Sequence, residues 1–143
     1  MGGCSVLAYG VGMVTGRTKT PWWGVVLNTP DPSGLAHFYS QILGWEVVRA
    51  EKNQATIRMP NAPTYIAFQR DDDFVPPSWP THSDHVGMTH HLDIGVDDLA
   101  HGVEFAISIG ATEEDFQPQE EVRVLRDPSG HLLCLYLDHD PSY

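Results

Sequence analysis

Apolar positions along this chain change period in a fixed order. Trp22 to Asn28 is a run of aromatic and β-branched residues, which predicts a strand. Leu35, Phe38, Tyr39, Ile42 and Leu43 then recur at spacings of three and four, which predicts a helix with one apolar stripe. Asp31 fits its N-cap, Pro32 its first position, where a missing N–H costs nothing, and Gly44 its stop. Three strands should follow, at Trp45 to Glu51, Gln54 to Met59 and Thr64 to Arg70. Their short connections, Lys52-Asn53 and Pro60-Asn61-Ala62-Pro63, favour antiparallel neighbours.

The same order then recurs. His90 to Val96 predicts a strand, Asp98 to Ile109 a helix, and Thr112 to Phe116, Val122 to Arg126 and Leu132 to Leu137 three more strands. Asp97 stands as far from Gly110 as Asp31 from Gly44, and the two copies begin 66 residues apart. The chain therefore reads as two βαβββ units. The expected fold is α+β: one domain over residues 21–143, with repeat one at 21–70 and repeat two at 89–137. Its eight strands, mostly antiparallel, curl into one sheet with a helix outside each half. Every second residue of each strand then lines a concave inner face. Residues 71–88 open on three consecutive Asp, carry three Pro and show no periodicity, which suits a linker or a lid. Residues 1–20 read as a disordered extension.

Charge narrows the partners. The 143 residues carry 19 acidic against 8 basic side chains, a formal net charge of -11. That excess repels polyphosphate and disfavours a nucleic-acid partner, leaving a cationic or neutral small molecule as the expected ligand. Cys4 and Cys134 make no disulfide framework, which points to the cytoplasm. No segment has the length of a membrane span or the basic start of a leader. Glycine-rich phosphate loops and Gly-x-Ser-x-Gly elbows are absent. His82, His85, His90 and His91 lie close together, but their spacing matches no structural zinc pattern.

Period two selects candidate site residues. His91 and Asp93 share a strand face, with His90 opposite, and make a candidate acid–base pair. Asn28, Gln69 and Tyr136 fall on other strands as possible cavity lining, beside apolar walls at Val26, Tyr65 and Leu132. Cys134 reads as a small buried hydrophobe or a nucleophile, with no activating base near it in sequence. Arg58 either binds an anionic group or lies outward in solvent. Trp45 either walls the cavity or anchors the helix to the sheet, and Trp79, between prolines, serves as a lid or a dimer contact.

Three motifs carry a family resemblance. Asp31 through Phe38-Tyr39 to Leu43-Gly44-Trp45, the segment His90 to Asp98, and Asp127-Pro128-Ser129-Gly130 through Cys134-Leu135 together resemble the vicinal oxygen chelate superfamily. That group holds glyoxalase I, bleomycin-resistance proteins, extradiol dioxygenases and fosfomycin-resistance enzymes, and the likeness is greatest to glyoxalase-like proteins of actinobacteria. In its metal-dependent members, strands one, four, five and eight each supply one ligand, a set of imidazole, amide and carboxylate groups. The resemblance places these positions at Gly24, at Ala67 or Gln69, at His91 and at Cys134. Only His91 matches, so any metal would rest on His91 with Gln69. It also implies a homodimer. The expectation is a metal-independent small-molecule binder that sequesters a hydrophobic or cationic compound. The alternative is a lyase, isomerase or dioxygenase using His91 and Asp93, or a degenerate metal site.

Overall fold

A computed structural model describes residues 22–140 of the chain. The expected extension at residues 1–20 lies outside them. Ten elements follow in order: β1 (Trp23–Thr29), α1 (Pro32–Leu43), β2 (Glu46–Ala50), β3 (Gln54–Arg58), β4 (Thr64–Arg70), β5 (Leu92–Val96), α2 (Leu99–Ser108), β6 (Thr112–Glu113), β7 (Val122–Arg126) and β8 (Leu132–Leu137). Among the described residues no helix is long and apolar enough to cross a membrane.

The helix signals act as read. Asp31 accepts the N–H of Gly34 at 3.0 Å, and Asp98 accepts that of His101 at 2.9 Å, each satisfying a donor that the first helical turn leaves free. Gly44 ends α1 at a φ of 68°, in the left-handed region that glycine enters without a Cβ penalty. The stripe on α1 buries Leu35, Ala36, Phe38 and Tyr39 against β2, β3 and β4. Helix α2 is shallower: Ala106 alone is fully buried, with Leu99, Val103 and Ile109 packed partly against the core.

The expected single curled sheet is corrected to two four-stranded sheets. Sheet A runs β1-β4-β3-β2 and sheet B runs β5-β8-β7-β6. Both are mixed. Short connections do give antiparallel pairs, but each first strand pairs in parallel with its own fourth strand, β1 with β4 and β5 with β8. A helix-containing crossover carries the chain away from each first strand, and the returning meander closes on it from one side only. No backbone ladder then links the two sheets.

Strand β6 is shorter than Thr112 to Phe116, because a side chain takes over its ladder. Gln117 accepts the N–H of Val124 at 2.8 Å and donates to the Val124 carbonyl at 2.9 Å, acting as a stand-in strand beside β7. Strand β5 starts at Leu92, so His91 sits just ahead of it.

Side chains join the halves. One hydrophobic cluster includes Phe38, Tyr39, Ile57 and Phe68 from the first half and Ala106, Leu125, Leu133 and Leu135 from the second. At its polar margin the fully buried Tyr39 donates its hydroxyl to Asp127 Oδ2 at 2.8 Å. Burial first, then the Asp127 charge, raises the Tyr39 pKa well above the phenolic range, so the hydroxyl stays a donor. The second oxygen of Asp127 accepts the N–H groups of Ser129, Gly130 and His131, and Thr29 shares a 2.7 Å hydrogen bond with Ser129.

Tyr39→Phe should cost about 1.5–3 kcal/mol, the usual range for a hydrogen bond to a charged group. Urea unfolding measures it, and an unchanged midpoint would mean that the contact does not join the halves.

Candidate functional site

Period two divides each strand of sheet B. Leu125, Leu133 and Leu135 enter the core on the α2 side, whereas Val122, Val124, Cys134 and Tyr136 fall on the other face. Asp93 pairs with Cys134 across the β5–β8 ladder, and Val124 pairs with Cys134 from β7. These residues floor an open cup of about 540 Å³, walled by Trp79, Met88, Pro118 and Gln119.

The long loop is strapped in place over that cup. Trp79 donates its indole N–H to the Phe116 carbonyl at 2.9 Å, with the two rings 6.1 Å apart. Arg126 pairs with Glu114 and donates to the carbonyls of Pro77 at 2.8 Å and Gly130 at 2.9 Å. A guanidinium with several fixed donors suits this tethering better than a single ammonium.

At the floor, His91 Nε2 lies 3.0 Å from Asp93 Oδ1, and the Cys134 sulfur joins them so that all three donor atoms lie within 4.8 Å of one another. Burial pushes the Cys134 thiol from its ordinary value near 9.0 up to about 11, with the Asp93 charge and a hydrogen bond to Asp93 adding to the rise. At neutral pH it is therefore a thiol and not a nucleophile. Asp93 remains largely open to solvent, its side chain 60% exposed, so a ligand can reach its carboxylate.

Of the nine candidate residues, five meet here: Trp79, His91, Asp93, Cys134 and Tyr136. The others lie elsewhere. Asn28 donates to Asp71 at 3.1 Å and lines a second cavity, which it shares with His91. Gln69 is exposed on β4, in register with Asn28 in sheet A. Arg58 pairs with Glu46 in a shallow pocket beside the β3–β4 turn. Trp45 packs partly buried against the core, and its carbonyl accepts the Ser40 hydroxyl at 2.6 Å. Met88, Pro118 and Gln119 were not singled out from sequence, since loop residues have no period to mark them. Val122 and Val124 were not singled out either, although their alternation on β7 was a signal available in the sequence.

The repeat gives a direct test of the family's metal set. Gly24 is to β1 what His91 is to β5, and the register pair Val26–Ala67 is to sheet A what Asp93–Cys134 is to sheet B. Ala67 therefore holds the fourth-strand position. A Cβ on Gly24 would meet the Tyr65 ring at 2.5 Å and the Tyr65 carbonyl at 2.6 Å, so no side chain fits there. The hard carboxylate and imidazole set does not fit these residues. What is present is one imidazole, one carboxylate and one protonated thiol, all on sheet B, a softer and smaller donor set.

Paired βαβββ units, a helix capped by Asp after each first strand and the closing Asp127-Pro128-Ser129-Gly130 turn are now seen together in three dimensions. The glyoxalase-like domain family matches residues 24–136. The chain belongs to that family. With it the chain joins the vicinal oxygen chelate superfamily, and solved structures agree on the fold. The chain is similar to a glyoxalase/bleomycin resistance protein/dioxygenase family enzyme from Burkholderia phytofirmans, at 20% identity and a TM-score of 0.57, over 78% of this chain and 94% of that one. It is similar to the fosfomycin resistance protein FosX from Listeria monocytogenes, complexed with Mn(II) and sulfate, at 13% identity and a TM-score of 0.60, over 87% and 91%. It is similar to a bleomycin resistance determinant encoded on the transposon Tn5, at 21% identity and a TM-score of 0.52, over 82% and 98%. No curated protein matches the chain.

In a Cys4→Ser background, alkylation of Cys134 by iodoacetamide should stay slow at neutral pH and accelerate with a midpoint near pH 11, where the thiol is pushed up to about 11. Asp93→Asn should move that midpoint down. Because the folded thiol holds its proton longer than the unfolded one, this group's contribution to stability falls as pH rises from about 9 to about 11. A midpoint near 9 in the folded protein would refute the buried, Asp93-coupled thiol.

Proposed function

We propose that this glyoxalase-like protein binds a hydrophobic or cationic small molecule in the cup of sheet B and needs no metal to do so. The observation that carries the reading is the composition of the floor: one solvent-open carboxylate, Asp93, held by His91 and walled by Trp79, Tyr136, Val122 and Val124. An open carboxylate between aromatic walls favours a cation with an apolar body. The glycine and alanine in two of the four family ligand positions, and the protonated thiol in a third, support independence from metal. The kinship to bleomycin-resistance proteins supports binding as the role, as does the acidic chain. We place the protein among the actinobacterial glyoxalase-like proteins, in the cytoplasm, on its sequence motifs and its cysteine content.

One specific observation favours a second reading. The 3.0 Å contact between His91 Nε2 and Asp93 Oδ1 sets an imidazole beside a carboxylate, the residue types of a general acid–base pair, with the two out of line for a directional hydrogen bond. On that reading the protein is a lyase, isomerase or dioxygenase. A bell-shaped pH–rate profile, abolished in His91→Ala, would establish turnover.

A homodimer is also proposed. Trp23, Val25 and Val26 on β1 are 60%, 38% and 52% exposed, and among the described residues β1 is an edge strand of sheet A. Apolar open edges invite pairing with another chain. Sedimentation should show a dimer that Val26→Lys converts to monomer, whereas a monomeric parent protein would refute it.

Elemental analysis of protein purified without chelator, run beside His91→Ala, tests the metal-free reading. The expected result is no stoichiometric divalent ion in either. One ion per chain, lost in the variant, would overturn it. Calorimetric titration with a panel of hydrophobic aromatic cations should find saturable binding that Asp93→Asn weakens about tenfold, the weight of one charge-assisted contact.

A further inference from the structure

Where the two halves meet, a separate cavity of about 380 Å³ opens beside the edge of β1. Val25, Phe74, Val75, Val86 and Leu132 make its walls largely apolar. It shares His91 with the cup and is otherwise lined by residues that the cup does not use. Its polar lining includes Asn28, Tyr39, His90 and His91 besides His131, the imidazole that stacks on an aromatic wall. The His131 ring stacks on Phe74, with centroids 4.4 Å apart at 25°. His131 Nδ1 lies 2.9 Å from Asp127 Oδ2, the same oxygen that accepts the Tyr39 hydroxyl. That contact is close enough for charge to act, although it is out of line for a directional hydrogen bond, and Nδ1 is buried. Among the described residues, the other ring nitrogen, Nε2, has no hydrogen-bond partner.

We propose that this cavity is a second ligand site and that it takes a phenol, an apolar aromatic ring with a weakly acidic hydroxyl. A carboxylate facing Nδ1 favours the tautomer with the proton on Nδ1, which leaves Nε2 as an acceptor. The ligand O–H donates to that acceptor. Among the described residues no Lys or Arg lines the cavity to neutralise a ligand carboxylate, and the chain is acidic, so a carboxylic acid is the poorer match. The flat His131–Phe74 stack and the aliphatic walls suit an aromatic body.

The test titrates 4-nitrophenol into the full chain, by calorimetry and by the visible absorbance that separates phenol from phenolate. One molecule per chain should bind. Nitrobenzene, which lacks the hydroxyl, should bind about tenfold more weakly, the worth of one hydrogen bond to the imidazole. His131→Phe keeps a stacking ring and removes the acceptor, so it should bring 4-nitrophenol down to the nitrobenzene level. Val86→Trp fills the cavity from a position already 54% exposed, where the fold tolerates change, and should abolish binding. If His131→Phe does not fold, Val86→Trp and the nitrobenzene comparison still decide the matter. The absence of saturable binding, equal affinity for the two probes, or binding retained in Val86→Trp would each overturn the proposal.

Discussion

The Asp127 carboxylate is the constraint on which the rest of the structure depends. It is 4% exposed, and a buried charge is tolerated only when its lone pairs are filled. Three backbone N–H groups of its own turn fill one oxygen, and the Tyr39 hydroxyl from α1 fills the other. The first set shapes the β7–β8 turn. The second docks the opposite half of the chain onto that turn. No strand ladder joins the halves, so this polar joint and the shared apolar cluster set how they meet. Removing the carboxylate would strand three donors at once, since the Gly130 N–H also bonds the Asp127 carbonyl, whereas removing the hydroxyl strands one acceptor site. The same oxygen faces His131, so the joint also orients the polar group at the junction cavity.

A repeat makes divergence visible, because each position has a counterpart. Gly24 answers to His91, Val26 to Asp93, and Ala67 to Cys134. Sheet A has given up polar side chains at all three of its positions. The Tyr65 ring occupies the space that a side chain on Gly24 would need, an aromatic covering a strand glycine. Sheet B keeps an imidazole, a carboxylate and a sulfur in one cluster. Chemistry that the family spreads over two halves is therefore gathered on one, and a site with one carboxylate instead of several presents a different charge to its ligand.

Much of this was legible in the chain. Cap residues state where a helix starts and stops in local terms, and Asp31, Asp98 and Gly44 behave accordingly. Strand existence follows from alternation, and period two sets His91 and Asp93 on one face, while Cys134 is marked through the family resemblance. What failed was non-local. Whether eight strands make one sheet or two depends on which edges bond, and no local pattern carries that. The shortness of β6 turned on the Gln117 side chain imitating a strand, an act its sequence neighbours do not announce. Trp45 and Trp79 show the same limit from the other side. Both are large aromatics beside turns, yet one packs into the core and the other walls the cup, because Phe116 and Arg126 hold the loop that carries Trp79 and its neighbour Pro77.

The electrostatics of the cup follow from burial more than from net charge. The formal charge of -11 is spread over a surface where salt screens it within about 10 Å at ordinary ionic strength. Selection of a ligand falls to the few groups at the floor. Cys134 contributes no charge there, since ionising it beside Asp93 would set two negative charges in a partly desolvated place, and the thiol keeps its proton instead. Asp93 is then the floor's one resident anion. Its exposure lets an incoming cation reach it, and its contact with His91 restrains the direction in which it can turn. The cysteine at this position bears on more than a metal preference. It supplies a weak neutral donor in place of a fixed negative charge and leaves Asp93 as the carboxylate of the cup floor.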